Sequence, residues 1–253
     1  VKGTLAERRV FLSGAAGGIG LACVERFVAE GATVGCFDVN TSALDALGKR
    51  FSTQQVKILP ADITMAVDVT RAVDQFARDS GGLDGVVNTA GADLVRPLEG
   101  TSDEDWRGIM AINLDGPMHV CRAAFPHMRS SGGGSIVNVS SAAGLQPLIH
   151  RTAYSASKAA LQMFSKALAL EGAEFGIRVN CVCPGAVDTE LLRGFLSAAA
   201  DPAAELERMK SRYALRRIAD PGEIAAAIFW LIGPESSYVT GAAIAVDGGR
   251  TFH

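Results

Sequence analysis

The sequence predicts an α/β protein: a doubly wound parallel sheet with helices on both faces, in a single domain spanning 1–253. Three observations lead there. Short apolar runs alternate with longer amphipathic ones down the whole chain. The apolar runs are continuous rather than alternating with polar residues, which marks strands buried on both faces. A glycine-rich turn also stands between the first apolar run and the first helix. Hydrophobic residues make up 48% of the chain, enough for a large core, and no linker, charge block or repeat divides it.

The first strand is expected at 9–13, followed by a helix over 19–30 that Gly31 closes. A strand at 33–38, a helix over 42–51 and a strand at 56–60 follow, then a helix at 67–79 and a strand at 85–88. Helical text fills much of 103–129, and 135–140 reads as a strand. A long helix over 152–174 precedes a strand at 178–182. After an irregular stretch come a helix at 221–232 and a last strand at 243–246. Repeated βα units with right-handed crossovers wind such elements into one sheet.

Composition excludes several function classes. The net charge of −3 and the lack of a basic run argue against nucleic acid as a partner. No stretch approaches the roughly 20 apolar residues of a membrane span. The first nine residues have no apolar core of the kind a secretory signal needs, so a soluble, cytoplasmic protein is expected. The five cysteines have no disulfide-framework spacing and read as reduced, buried thiols. Cys181-Val-Cys183 has no companion pair and the four histidines are scattered, so no metal site is expected.

Ser13-Gly14-Ala15-Ala16-Gly17-Gly18-Ile19-Gly20 lies between the first strand and first helix, with the spacing Gly14-x-x-x-Gly18-x-Gly20. Glycines there permit a tight turn and close approach of a pyrophosphate to the helix N-terminus. Asp38 ends the second strand, the station of a carboxylate that hydrogen-bonds an adenosine ribose; a helix-capping Asp is the plainer alternative. It would repel a 2′-phosphate, and no Arg or Lys stands at 15–17 or 39–40 to welcome one. NAD is therefore favoured over NADP.

Tyr154-Ser155-Ala156-Ser157-Lys158 puts a phenol and an ammonium on one helix face at i and i+4. A neighbouring cation stabilises phenolate, and such a Tyr can take a proton from an alcohol or return one to a carbonyl oxygen. A solvated helix face explains many chance matches to this pattern, so its weight comes from its company. That company is Ser13-Gly14-x-x-x-Gly18-Ile19-Gly20, Asp62, Asn88-Thr89-Ala90-Gly91, Asn113, Ser141 and Pro184-Gly185. In this order the chain resembles the short-chain dehydrogenase/reductase family along essentially its whole length.

The resemblance implies a Rossmann-type fold and assigns roles. Tyr154 would be the general acid/base. Lys158 would hold the nicotinamide ribose and lower the Tyr154 pKa. Ser141, chosen over Ser140 for its separation from Tyr154, would bond the reacting oxygen, and Asn113 would support a proton-relaying water. Ser13, Gly14, Gly18, Ile19, Gly20, Asp38, Asp62, Ile63, Asn88, Ala90, Gly91, Pro184, Gly185, Val187 and Thr189 would bind the cofactor, with Thr189 gripping the carboxamide. Ser13 stands where the family usually has Thr, and Thr89 where it usually has a second Asn. A homo-oligomer, most often a tetramer, is implied as well.

The substrate is less legible. His150-Arg151-Thr152-Ala153-Tyr154 and Lys210-Ser211-Arg212 resemble a subgroup acting on 3-hydroxybutyrate-type and keto-deoxy sugar acids, in which Arg151 and Arg212 would clamp a carboxylate. Surface salt bridges are the plainer reading of those arginines. A polyol, cyclic or secondary alcohol stays open as substrate, with a ketoacyl thioester behind. His150 is either a substrate contact or a loop residue. Residues 190–217 are expected either to close over the pocket as a lid or to stand as a fixed helix pair. A non-catalytic nucleotide sensor would have the same fold, but such proteins commonly lose the Tyr or Lys that this chain keeps.

Overall fold

The computed structural model describes residues 3–252. Strand β1 (Arg9–Ser13) runs through the glycine turn into α1 (Gly18–Ala29), and β2 (Thr33–Asp38), α2 (Thr41–Arg50) and β3 (Val56–Pro60) complete the first half-turn of the sheet. Helix α3 (Ala66–Ser80) leads to β4 (Gly85–Asn88) on the other side of β1. Then come α4 (Asp103–Met110), α5 (Gly116–Ser130), β5 (Gly134–Val139), α6 (Thr152–Ala173) and β6 (Ile177–Pro184). Two short helices, α7 (Glu190–Ser197) and α8 (Pro202–Lys210), precede α9 (Pro221–Ile232) and β7 (Ala243–Val246). The seven strands are ordered β3-β2-β1-β4-β5-β6-β7, and every neighbouring pair is parallel.

Strand periodicity of two divides the core between the faces. Val10 and Leu12 of β1 pack with α1, α2 and α9, whereas Phe11 packs with α3 and α5 among Phe37, Phe76 and Met128. At Gly35 this second layer comes close to the sheet: a Cβ there would meet the Phe76 ring at 2.7 Å. Strand order reverses between β1 and β4, so their carboxyl ends flank the crevice where ligands bind in open α/β sheets.

A buried polar chain crosses the sheet at that crevice. Ser13 Oγ donates to Asn88 Oδ1 (2.9 Å), Asn88 Nδ2 to Asn138 Oδ1 (2.8 Å), and Asn138 Nδ2 to Ser165 Oγ (2.7 Å). Ser165 Oγ in turn donates to the Leu161 carbonyl at 2.8 Å. With each link satisfied, these groups tie β1, β4, β5 and α6 into one register instead of leaving orphaned polar atoms.

The helical text at 103–129 is not one helix. Ser102 and Asp105 form a reciprocal capping box that starts α4. A π-helical turn over 111–115 then separates α4 from α5, with the Gly116 N–H reaching the Ala111 carbonyl five residues back. Pro117 explains the break, because it has no N–H for the carbonyl of Asn113 four residues before it. The stretch before 221, read from sequence as irregular, contains α7 and α8. Asp201 caps α8 by accepting from the Ala204 N–H, and Pro202 takes the first helical position.

All five cysteines are buried free thiols. Burial pushes Cys36, Cys121 and Cys183 up to about 12 and Cys181 to about 11, and raises Cys23 as well. A thiol whose folded pKa is raised contributes stability that is complete below its unfolded value near 9. That stability is lost as pH rises from there toward the folded value. The melting temperature is therefore expected to fall steeply above pH 9, and more gently in a Cys23→Ala, Cys36→Ala variant. Parallel melting curves for the two proteins from pH 7 to 10.5 would sink this account.

Candidate active site

The glycine turn is built by close approach. Gly14 sits at φ 76°, and a Cβ there would meet the Ala90 nitrogen at 2.4 Å. Thr89 Oγ1 ties the turn down by donating to the Ser13 carbonyl (2.7 Å) and lying 3.1 Å from that of Gly14, so the hydroxyl does local work where the family has an amide. Helix α1 starts at Gly18 with no side-chain cap and no acidic residue in its first turn, leaving its positive end to a ligand. Asp38 lies beside the turn: its Oδ2 accepts from the Ala16 N–H (3.0 Å) and its Oδ1 from the Asn40 N–H (2.9 Å).

A cavity of about 200 Å³ opens at the carboxyl ends of the strands. Ser141, Tyr154 and Lys158 line it together with Ile19, Gly91, Pro184, Gly185, Val187 and Thr189. Gly18 is in the same assembly, since a Cβ there would meet Thr189 Cγ2 at 2.8 Å. Ser13 and Asn88 lie beneath the cavity floor, buried in the polar chain. Asp62 is exposed and accepts from the N–H and hydroxyl of Thr64, while the Ile63 side chain is buried.

Helix α6 carries the phenol and the ammonium. Lys158 is buried, with Nζ donating to the Val139 carbonyl (3.0 Å) and lying 6.0 Å from the centre of the Tyr154 ring. Burial lowers its pKa to about 8, although Cys181, Cys183 and Asp93 act to raise it. The Tyr154 phenol moves the other way. Burial pushes it up, the Ser141 hydroxyl pulls it down, Asp93 pushes it up and Arg151 pulls it down. The protein alone thus holds Tyr154 above its ordinary value rather than below it, because desolvation outweighs the Ser141 hydroxyl and the Arg151 guanidinium.

The two adjacent serines do different things. Ser140 Oγ donates to the Lys158 carbonyl (2.8 Å) and accepts from Gln162 Nε2 (3.0 Å), so it is spent on holding α6. Ser141 Oγ accepts from the Ala143 N–H (3.0 Å), which leaves its own proton for the Tyr154 phenol in the cavity. Asn113 is fully buried behind Lys158. Its Oδ1 accepts from the Ala92 N–H, and its Nδ2 donates to the Ala92 carbonyl and lies 3.1 Å from Ser157 Oγ.

The outer wall joins α7 and α8 to the loop before α6. Leu191, Leu192, Phe195 and Met209 give it an apolar surface, and Arg151, Arg212 and Arg250 bring three guanidinium groups. Arg151 is already engaged: its Nη2 lies 3.2 Å from Asp93 Oδ2 and its guanidinium sits 5.0 Å from the Phe195 ring centre. Arg212 and Arg250 form no ion pair among the described residues; Arg250 donates to the Gln146 carbonyl at 3.2 Å. The remaining arginines of this stretch face elsewhere, Arg193 on Asp188, Arg208 on Glu205, Arg217 on Glu223 and Arg216 on the Ser211 carbonyl. His150 is exposed at φ 59°, and its carbonyl accepts from the Arg96 N–H. It does not line the cavity.

Sequence reasoning missed Asp93, Tyr213 and Arg250. Asp93 stands two residues after Gly91 and had a local signal, a carboxylate directly downstream of a cofactor motif. Tyr213, whose hydroxyl accepts from the Ala186 N–H (2.9 Å), and Arg250 are brought in from distant segments and had none.

The uncapped α1 terminus, the glycine cradle and the Asp38 carboxylate beside the turn fit a dinucleotide. Comparison with known proteins agrees. A family profile described as enoyl-(acyl carrier protein) reductase matches residues 14–251. The chain is 36% identical to cyclopentanol dehydrogenase of Comamonas testosteroni over 251 residues, 98% of this chain and 99% of that protein. It is 34% identical to 2-(S)-hydroxypropyl-CoM dehydrogenase 3 of Xanthobacter autotrophicus over 245 residues, 96% of each. The ligand-free structure of Thermoplasma acidophilum aldohexose dehydrogenase superposes with a TM-score of 0.91 at 29% identity, covering 100% of this chain and 97% of that one. Similarity of this extent, on this sheet and around this cavity, makes the chain a member of the short-chain dehydrogenase/reductase family, an oxidoreductase that acts on CH–OH with a nicotinamide cofactor.

Proposed function

We propose that the protein is an NAD-dependent dehydrogenase of a secondary alcohol or ketone, with a small hydroxy acid as the first candidate substrate. The observation that carries the cofactor reading is Asp38, held by the glycine turn itself through the Ala16 N–H. Each carboxylate oxygen already accepting one backbone N–H keeps a lone pair for a ribose diol. A 2′-phosphate would meet that negative charge with no cation beside it.

Bound NAD supplies the hydride acceptor. Tyr154 takes the alcohol proton as general base, or returns it to a carbonyl oxygen in the reverse direction. Ser141 donates its hydroxyl proton to the substrate oxygen. Lys158 holds the nicotinamide ribose, and Asn113, pinned to Ala92, supports the proton path behind it. The hydroxy-acid reading rests on Arg212 and Arg250, guanidinium groups on the cavity wall without an acid against them. The wall of Leu191, Leu192, Phe195 and Met209 favours a second reading, a neutral cyclic or secondary alcohol.

A panel of 3-hydroxybutyrate, sugar acids, polyols and cyclic alcohols, each with NAD and with NADP, tests this reading. NAD should be preferred by at least about 10²-fold in kcat/KM, the scale of a repulsive contact worth ~3 kcal/mol. Asp38→Ala should remove most of that preference. Equal use of both cofactors by the wild type overturns the NAD assignment. Turnover confined to neutral alcohols moves Arg212 to a structural role.

We further place the protein in the cytoplasm, as a homotetramer. The five unpaired buried thiols suit a reducing compartment, and no helix among the described residues is long and apolar enough to cross a membrane. Met163 and Leu170 of α6 are 64% and 82% exposed, and Trp106 of α4 is also on the surface. These are apolar groups that a second copy would cover. Light scattering at micromolar concentration should give four times the chain mass; a monomer mass rejects the assembly.

A further inference from the structure

The end of β5 and helix α6 carry different parts of the reacting group, Ser141 on one and Tyr154 with Lys158 on the other. The distance between the serine hydroxyl and the phenol is therefore set by how the strand end is fastened to the helix. Three consecutive residues make that seam. The Val139 carbonyl accepts from Lys158 Nζ (3.0 Å), Ser140 Oγ donates to the Lys158 carbonyl (2.8 Å), and the Ser141 carbonyl lies 3.5 Å from Gln162 Nε2.

Gln162 stands at the centre of the seam, one helical turn beyond Lys158 and two beyond Tyr154. It is buried, with 7% of its surface exposed, and it does not line the cavity. Its Nε2 donates to Ser140 Oγ at 3.0 Å as well as reaching the Ser141 carbonyl. The chemistry fixes the direction of these bonds. Ser140 gives its one proton to the Lys158 carbonyl, so its oxygen can only accept from Gln162, and the amide must present its NH2 end. The turn after Ser141 closes tightly on the same spot: a Cβ at Gly144 would meet Gln162 Nε2 at 2.6 Å and the Lys158 carbonyl carbon at 2.8 Å.

The phenol depends on that closure. Tyr154 is faced by the Ser141 hydroxyl from the end of β5, by Asp93 and Arg151 from the loops after β4 and before α6, and by Lys158 on its own helix. Burial raises its pKa most, and the Ser141 hydroxyl is the largest influence against that rise. Resting on the alcohol-dehydrogenase reading above, we propose that Gln162 is a positioning residue for the proton transfer: by bonding Ser140 and reaching the Ser141 carbonyl, it holds the Ser141 hydroxyl against the Tyr154 phenol. Without its amide the serine turn is free to draw away from α6, and the phenolate loses its hydroxyl partner.

Gln162→Met keeps the side chain's length and removes the donor. The test follows kcat/KM for alcohol oxidation against pH, with saturating NAD and cyclopentanol or the best substrate of the panel above, a profile that reports the pKa of the base. The midpoint should move up by about 0.5 to 1 pH unit as the phenolate loses a hydrogen bond, and the high-pH plateau should fall by about tenfold as the geometry loosens. Ser140→Ala, which takes away the amide's acceptor, should give the same shift; it carries the test should Gln162→Met fail to fold. The double variant should lose no more than the larger single loss, because both changes open one seam. An unchanged midpoint in either folded variant, even with a lower melting temperature, makes Gln162 a packing residue and overturns the assignment while leaving the dehydrogenase reading intact. Losses that simply add in the double variant overturn it too. No turnover of any panel alcohol with NAD or NADP overturns both.

Discussion

Tyr154→Phe is expected to lower kcat by about 10³-fold while leaving NAD affinity within about threefold of wild type. General acid–base catalysis contributes roughly 10² to 10⁴ in rate, and neither Ser141 nor Lys158 can replace the phenol. The Ser141 hydroxyl stays un-ionised at working pH and cannot serve as the base, and the Lys158 ammonium is tied to the Val139 carbonyl. Phe keeps the ring's packing, so the loss should sit in kcat and not in folding. Tryptophan fluorescence or calorimetry with NAD, beside steady-state kinetics, separates the two. A variant that keeps more than a tenth of wild-type kcat would show that Tyr154 is not the proton carrier. The same side chain sets the direction of the pH dependence. Alcohol oxidation needs the phenolate, and burial holds the phenol protonated above its ordinary range. Oxidation by the wild type should therefore accelerate with rising pH and carbonyl reduction should slow.

Gly20→Ala is expected to destabilise the protein by more than about 3 kcal/mol or to prevent soluble accumulation, the mark of overpacking where the surroundings cannot yield. A Cβ at this position would lie 2.0 Å from the Gly14 carbonyl oxygen and 2.9 Å from Thr89 Oγ1. Neither can step aside: Gly14 is fixed in the turn, and Thr89 is bonded across it. Relief would require α1 to lift from the sheet, exposing Cys23, Val24 and Phe27, all fully buried. Gly108→Ala in α4 is the control. Nothing lies within 4 Å of its Cβ position, and Ala in a helix interior gains about 0.5–1 kcal/mol over Gly. Urea denaturation midpoints for both variants check the contrast. Equal midpoints would mean that the turn is softer than its contacts imply.

The strands were legible because each is a continuous apolar run that a parallel sheet buries on both faces, and their boundaries at β1, β2, β3, β4 and β7 follow the runs residue for residue. The helices at 103–129 were harder. Amphipathic periodicity continues through the π turn, whose cause is Pro117 together with the side chain of Asn113 turning to Ala92, a contact 21 residues away. Helices α7 and α8 were left open between a closing lid and a fixed helix pair, because each is only two turns long and partly exposed.

What the sequence determined by itself is the sheet, the dinucleotide turn and the chemistry-bearing side chains. Each depends on local rules: a strand's burial, a glycine's freedom, an i to i+4 spacing on one helix. What the tertiary structure decided is which charges are free to meet a substrate. Arg151, a candidate carboxylate ligand by its place beside Tyr154, is bound to Asp93 from another loop. Arg250 reaches the same cavity from the far end of the chain. A guanidinium's availability depends on what stands within 4 Å of it, and in a doubly wound sheet those neighbours come from segments that only the crossover connections bring together.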